Sequence, residues 1–225
     1  MMTRVVAIVP MRHSSERVKG KNYRVLGDAP LFHHVVRTLL ATPSITEVVI
    51  DTDSPTVRED TAEAFPTVRV LERPEHLRDG NIAMNDVLLN TVSQVNADVI
   101  LQTHSTNPFL SSDTVQQALE LFLSDDNDYD SVFGVTRLQA RLWDKNTQPV
   151  NHDPAVLLRT QDLDPIYLEN SCFYIFTPDV LRDRGNRIGA KPAMVEVPAG
   201  EAIDIDEESD WDLAAAVWNM RAAKK

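Results

Sequence analysis

A three-layer α/β/α fold around a mostly parallel sheet is predicted by three observations. Short β-branched runs alternate with segments of helical spacing along most of the chain. The runs are apolar at consecutive positions, as in strands covered on both faces. The polar and charged loops follow directly after the runs, where an open α/β sheet binds its ligands. At 225 residues, with 43% hydrophobic and 25% charged, the chain has the size and composition of one globular domain with a sizeable core.

Residues 3–9 (TRVVAIV) read as a buried first strand, followed by a basic loop over 10–21. Residues 31–40 (LFHHVVRTLL) have helical spacing, and 47–50 (EVVI) form a second buried strand ending in Asp51-Thr52-Asp53. Ser54 is placed as the N-cap of a helix reaching Ala64. A short strand is expected at 68–71, a helix at 86–94, a buried strand at 98–102 (DVILQ) and an amphipathic helix at 111–123. From 137 to 170 the periodicity breaks, over a length too great for a bare connector, which predicts an arm or subdomain with its own hairpin. Strands are expected at 172–176, 194–197 and 202–206, before a final helix over 208–222.

The formal charge of −12 argues against nucleic-acid binding, which calls for a basic face. No apolar stretch approaches the ~20 residues that span a bilayer, and residues 1–10 end at a proline without a signal-peptide pattern. Cys172 is the only cysteine, which excludes an internal disulfide and fits a reducing cytoplasm. Its strand-like surroundings read as an inert buried thiol.

Two segments carry chemistry. The loop after the first strand holds Arg12, Arg17, Lys19 and Lys21 for charge, Ser14 and Ser15 for hydroxyl contacts, and Gly20 for a bend. That mixture suits phosphate groups, although the loop lacks the Walker spacing and a solvated basic loop has the same composition. Near the C-terminus, Asp204 and Asp206 alternate within Ala202-Ile203-Asp204-Ile205-Asp206. On an extended segment they face one side and can share a hard cation, with Ile203 and Ile205 turned inward. Glu207 to Asp210 suit the start of the last helix. His104, between Thr103 and Ser105, is a loop histidine that could touch a ligand or accept a proton. His33 and His34 show no metal spacing, and Asp51 or Asp53 suit either a ligand contact or a simple turn. Trp143 and Tyr167 are read as interface aromatics.

In order along the chain, these pieces resemble the acylneuraminate cytidylyltransferase family and its CMP-Kdo synthetase relatives. Val9-Pro10-Met11-Arg12 and Gly20-Lys21-Asn22 match the two ends of that family's opening loop, while Ser15-Glu16-Arg17 departs from its middle. Thr52-Asp53, the run from Arg73-Pro74 to Leu77 and Asp79, the segment 169–176, and 202–206 with Asp210 match later motifs. The resemblance implies one nucleotide-binding domain over 1–225, with residues 137–170 inserted as a dimerisation arm. It implies transfer of CMP from CTP to an acidic sugar resembling sialic acid, releasing pyrophosphate.

At matching positions, Arg12, Lys21 and Asp206 become catalytic, and Ser14, Ser15, Asn22 and Asp79 join Arg12 and Lys21 at the nucleotide. Asp204 and Asp206 would hold Mg²⁺. Gln102, His104, Ser105 and the arm residue Arg159 would meet the acceptor, Arg159 from a second copy in a homodimer. Arg141 and Lys145 are further arm cations. The stretch Gln102 to Pro108 is two residues longer than the family's loop, so the acceptor pocket is expected to be reshaped. Kdo or a phosphonate remains open as acceptor. Readings of other classes are a glycosyltransferase using D-x-D, whose motif lies mid-chain, and a non-catalytic nucleotide-binding protein.

Overall fold

The computed structural model describes residues 3–126 and 128–223. Its elements begin with β1 (Val5–Met11), a small hairpin of β2 (Val25–Leu26) and β3 (Ala29–Pro30), α1 (Leu31–Leu40), β4 (Glu47–Thr52) and α2 (Pro55–Ala64). Then come β5 (Arg69–Glu72), α3 (Met84–Val92), β6 (Val99–Thr103) and α4 (Ser112–Leu123). The chain continues through β7 (Ser131–Leu138), β8 (Ile166–Phe176), α5 (Pro178–Arg184), β9 (Pro192–Glu196) and α6 (Glu208–Ala222). Seven strands form one sheet in the order β5-β4-β1-β6-β8-β7-β9. Strand β8 is antiparallel to both neighbours, and every other pairing in this sheet is parallel.

All residues of β1 are buried, and they serve two cores. Val5, Ala7 and Val9 pack with Phe32, Val35 and Leu119 from α1 and α4. Val6 and Ile8 pack with Leu88, Leu181 and Tyr174, which draws in α3 and α5. Successive side chains of a strand point to opposite faces, so a continuous apolar run requires helices on both. A third cluster seats α6 through Trp211 and Ala214 against Val18, Leu31 and Ile205. Leu213 on the same helix is exposed.

The expected helix starts carry their caps. Ser54 Oγ accepts from Val57 N at 3.2 Å, and Ser111 Oγ from Thr114 N at 3.2 Å. At the final helix Glu207 and Asp210 form a reciprocal capping box. Three expectations shift. Strand β4 runs through Asp51 and Thr52, which are buried rather than in a turn, because Asp51 has internal partners described below. The segment 202–206 joins no strand ladder. Its Ile205 N–H bonds instead to Thr106 O, at 3.0 Å. Strand β8 starts at Ile166, well before residue 172, and β7 and α5 carry segments that sequence periodicity left unassigned.

Strand β8 has two parts. Residues 174–176 pair with both β6 and β7, and Phe173 pairs with β6 alone. Phe133 faces Tyr174 but Val135 faces Glu169, so residues 170–173 form a bulge, with Ser171 at φ 57°. Before the bulge, 166–169 pair with β7 alone and make a two-stranded ribbon. The ribbon leads into 139–165, which contains a bridge from Trp143 to Pro149 and a 3₁₀ turn at Thr160–Asp162. Leu157 there is 90% exposed, and Trp143, Val156 and Leu158 are exposed with it.

Candidate active site

The carboxyl ends of β1 and β6 border a cavity of about 600 Å³. Such an opening lies where the parallel strands end and their loops diverge. The basic loop forms one wall. It bends at Gly20, whose φ of 65° is left-handed and whose added Cβ would lie 2.7 Å from the Tyr23 ring, so a side chain is disfavoured twice. Directly after the bend, a 3₁₀ turn (Lys21–Tyr23) carries Lys21 and Asn22.

Asn22 is nearly buried and fastens the loop. Its Nδ2 donates to Arg12 O at 2.8 Å, and its Oδ1 accepts from Ser105 Oγ at 2.6 Å. The basic loop is thereby tied to the end of β6. His13 ties it to β4 as well, with its N–H donating to Asp53 Oδ1 at 2.7 Å and its Nδ1 lying 2.8 Å from Ser54 Oγ. Arg12 lines the cavity and makes no ion pair with any described residue. Its guanidinium lies over Gly80, where a Cβ would come within 2.5 Å, so the absence of a side chain there lets the cation in.

Asp206 enters from the other wall and draws two cations, Arg17 at 3.0 Å and Lys21 at 3.4 Å. Lys21 Nζ also donates to Ile205 O at 2.7 Å, which fixes the ammonium at the lip of the acidic turn. Asp204 lies behind Asp206 and does not border the cavity. Its Oδ1 is buried and has no hydrogen-bond partner. Burial raises its carboxyl pKa; a hydrogen bond with Thr106 opposes this and the Asp206 charge adds to it.

An orphaned carboxylate oxygen beside a second carboxylate is a fit for a hard divalent cation. Among the described residues no group of three or more His, Cys, Asp and Glu could hold a metal. The remaining ligands would be waters and phosphate oxygens, which suits magnesium.

Of the other expected residues, Ser14, Ser15, Asp79, His104 and Ser105 line the cavity. Gln102 does not. It is fully buried, and its amide is engaged at both ends, Nε2 with Thr103 O at 3.0 Å and Oε1 with Arg187 at 2.6 Å. Arg159 is exposed on the arm, paired with Asp162 at 2.7 Å, and does not border this chain's cavity.

Sequence reading missed Arg73 as a wall residue, although it opens the Arg-Pro motif. It is 2% exposed and pairs with the fully buried Asp51 at 2.5 Å, whose other oxygen accepts from Thr91 Oγ1 at 2.7 Å. Cys172 is buried as expected. Burial, with the charges of Asp204 and Glu201, pushes its thiol pKa up to about 12, which removes it from nucleophilic chemistry.

Arg12, Arg17 and Lys21 gather positive charge at one cavity, with the Asp206 carboxylate between the last two, an arrangement that suits a polyanion. The chain belongs to the cytidylyltransferase family, whose model matches residues 6–196. It is similar to the N-acylneuraminate cytidylyltransferase of Oncorhynchus mykiss, 29% identical over 217 residues, with 93% of this chain covered. The chain spans about half of that relative, 49% of its length. The CMP-N,N'-diacetyllegionaminic acid synthase of Legionella pneumophila is 27% identical over 229 residues, covering 96% of this chain and 97% of that one. In fold, the chain resembles a solved CMP:2-keto-3-deoxy-manno-octonic acid synthetase complexed with CTP, at TM-score 0.74 and 17% identity, covering 97% of this chain and all of the other.

Proposed function

We propose that the chain transfers CMP from CTP to an acidic sugar of the sialic acid type, releasing pyrophosphate. The observation that carries this is the convergence of Arg12, Lys21 and Asp206 on one cavity, in a chain of the cytidylyltransferase family. Arg12 and Lys21 neutralise the triphosphate and stabilise the departing pyrophosphate. Ser14, Ser15 and Asp79 complete the nucleotide wall, and Asn22 acts by holding the loop in place. Mg²⁺ held by Asp204 and Asp206 would screen phosphate charge and lower the pKa of the acceptor hydroxyl. The acceptor hydroxyl attacks the α-phosphorus in line, its proton leaves to solvent, and the bond to the β-phosphate oxygen breaks. His104 and Ser105 face the acceptor.

The reading includes a homodimer working in the cytoplasm, with residues 137–170 as its arm. Support comes from Trp143, Val156, Leu157 and Leu158, four large apolar side chains left exposed on one segment. No helix among the described residues is long and apolar enough to cross a membrane. A two-fold pairing would bury the arms and bring Arg159 to the partner's acceptor.

Pyrophosphate release from CTP against a panel of acidic acceptors tests the activity, and CTP should be strongly preferred over UTP. Kdo or a phosphonate as best acceptor would move the substrate within the same chemistry. Sugar transfer from a nucleotide sugar without pyrophosphate release would favour the glycosyltransferase reading, and CTP binding without turnover the non-catalytic one. Asp206→Ala should keep its fold by circular dichroism and lose at least about 10²–10³ in kcat, the scale for removing a preorganised electrostatic group. Near-normal turnover at ordinary Mg²⁺ would remove Asp206 from the centre. For the shared site, mixing Asp206→Ala chains with Arg159→Ala chains should restore part of the activity, because one heterodimer site is intact.

A further inference from the structure

We propose that Arg17 is a movable counter-charge at the cation site: it neutralises Asp206 until a triphosphate draws it away, so that the metal enters with the nucleotide rather than before it. The proposal deepens the cytidylyltransferase reading and rests on it. Arg17 belongs to Ser15-Glu16-Arg17, the part of the basic loop that departs from the family's pattern. Its Nη2 lies 3.0 Å from Asp206 Oδ1, and Lys21 Nζ lies 3.4 Å from the same oxygen. All three residues line the cavity. Asp206 is thus compensated twice, at one atom, by the chain itself.

The two cations are held differently. Lys21 Nζ also donates to Ile205 O at 2.7 Å, and its side chain is only 13% exposed, so its ammonium is fixed beside the acidic turn. The Arg17 side chain is 59% exposed, and Asp206 is its only partner among the described residues. An exposed ion pair of this kind is worth little, and so it exchanges readily for a better anion. Only the side chain needs to move. Next to Arg17, Val18 is fully buried in one cluster with Leu31, Ile205 and Trp211, which packs the backbones of the loop and the acidic turn together. A long side chain pivots there from a fixed base.

Charge decides what this arrangement admits. A dication at Asp206 would stand a few ångströms from two positive groups, and like charges that close repel one another. A triphosphate removes the obstacle, because its oxygens take the Arg17 fork in charge-assisted bonds and add negative charge beside the carboxylate. Released from Arg17, Asp206 can share the cation with phosphate oxygens and with Asp204, whose buried Oδ1 has no hydrogen-bond partner. Arg12, which makes no ion pair with any described residue, has no such exchange to make. Arg17 therefore serves two anions in succession, and Arg12 serves one.

The test measures two separate affinities on the full chain, with turnover as a further arm. Mn²⁺ stands in for Mg²⁺ and is followed by the paramagnetic resonance signal of the free ion; CTP binding is followed by calorimetry in the presence of a chelator. Arg17→Gln should bind Mn²⁺ about 3- to 30-fold more tightly than wild type, the range for one unit charge near a dication at a solvent-exposed site. The same variant should bind CTP about 10-fold more weakly, the scale for losing a charge-assisted bond. Opposite signs are the signature, since a residue that only braced the loop would weaken both. Arg17→Lys should stay near wild type in both. Lys19→Gln removes the same charge from a position of that loop outside the cavity wall, and should leave the Mn²⁺ affinity within about twofold. Four results would overturn the proposal: Mn²⁺ affinity that does not rise in Arg17→Gln, Mn²⁺ binding absent from both proteins, an equal rise in Lys19→Gln, or CTP affinity that does not fall. Failure of every acidic acceptor to release pyrophosphate would instead overturn the functional reading, and would leave the opposed binding effects standing.

Discussion

The parallel half of the sheet and the antiparallel ribbon beside it leave their polar and apolar groups in opposite conditions. On the parallel side, the strand ends are tied to one another by short internal bonds. Asn22 joins the basic loop to β6, His13 joins it to β4, and Arg73 joins β5 to β4 through Asp51. On the ribbon side, β8 pairs with β7 alone beyond its bulge, and the segment 139–165 between those strands exposes Leu157, Trp143 and Val156. Closing a nucleotide site calls for fixed donors, and fixed donors follow from a backbone held at many points. Leaving apolar groups outside calls for something else to cover them. The difference teaches that the loops at the parallel strand ends are held within one chain, while the covering of the arm's apolar side chains is what the proposed dimer would supply.

Arg73 should break the comparison most severely. Arg73→Ala removes the partner of a carboxylate with no solvent exposure, and an uncompensated buried charge costs about 3–5 kcal/mol. Urea denaturation should show that loss, and Asp51→Asn combined with it should recover a portion. A loss below about 1 kcal/mol would mean that water reaches Asp51 and that the parallel half is looser than its hydrogen bonds imply.

His104 gives the next effect, through pH. Its folded pKa of about 4 lies below the ordinary 6.5. As pH falls below 6.5 the unfolded chain takes the proton first, so stability declines from there until about pH 4, where the folded ring also protonates. The whole gap corresponds to at most about 3 kcal/mol. His104→Gln should flatten that acid limb in a series of denaturant midpoints between pH 7 and 4. A limb identical to wild type would show that the ring is hydrated on the cavity wall.

Much of the parallel half was legible because each strand, helix and cap there is encoded within a few residues. The apolar run at 5–9, the helix Leu31–Leu40, the Ser54 and Ser111 caps and the final helix Glu208–Ala222 all depend on local pattern. The cavity residues Arg12, Lys21 and Asp206 followed from loop position and motif order. Partnerships across long separations were not legible. Asp51 suited either a ligand contact or a turn, because its counter-charge is 22 positions away. Gln102 was placed at the acceptor by the family resemblance, and Arg187, which occupies its amide, is 85 positions away. Strand β8 was read short because Ser171 interrupts its alternation at the bulge.

Ser54 should give a smaller loss, on the same side of the molecule. Its Oγ caps α2 and also lies 2.8 Å from His13 Nδ1, so one hydroxyl serves both a helix start and the anchoring of the basic loop. Ser54→Ala should cost about 1 kcal/mol by the cap alone. If the loop anchoring matters, the KM for CTP should also rise, whereas Ser111→Ala, a cap whose hydroxyl has no bond to that loop, should cost similar stability and leave that KM unchanged. Equal KM values in the two variants would detach the loop from Ser54.

Leu157 should give the smallest effect on the chain's own stability, and for that reason it discriminates best between the two halves. At 90% exposure it contributes almost nothing to the core of its own chain, so Leu157→Ser should change the denaturation free energy of the isolated chain by less than about 0.5 kcal/mol. In a dimer the same side chain would be covered, and burying a leucine is worth about 1.5–3 kcal/mol. Two copies meet at a two-fold interface, so the substitution would act twice. Sedimentation at micromolar concentration should therefore give about twice the chain mass for the wild type and a shift toward the single chain for Leu157→Ser. The acceptor KM should then rise with dilution, because Arg159 would be withdrawn from the partner's site, while the KM for CTP, set by the parallel half, should stay constant. A variant that dimerises as tightly as wild type would place Leu157 outside the interface. A wild type that sediments as a single chain at full activity would remove the second chain from the site altogether, and the arm would then need another occupant.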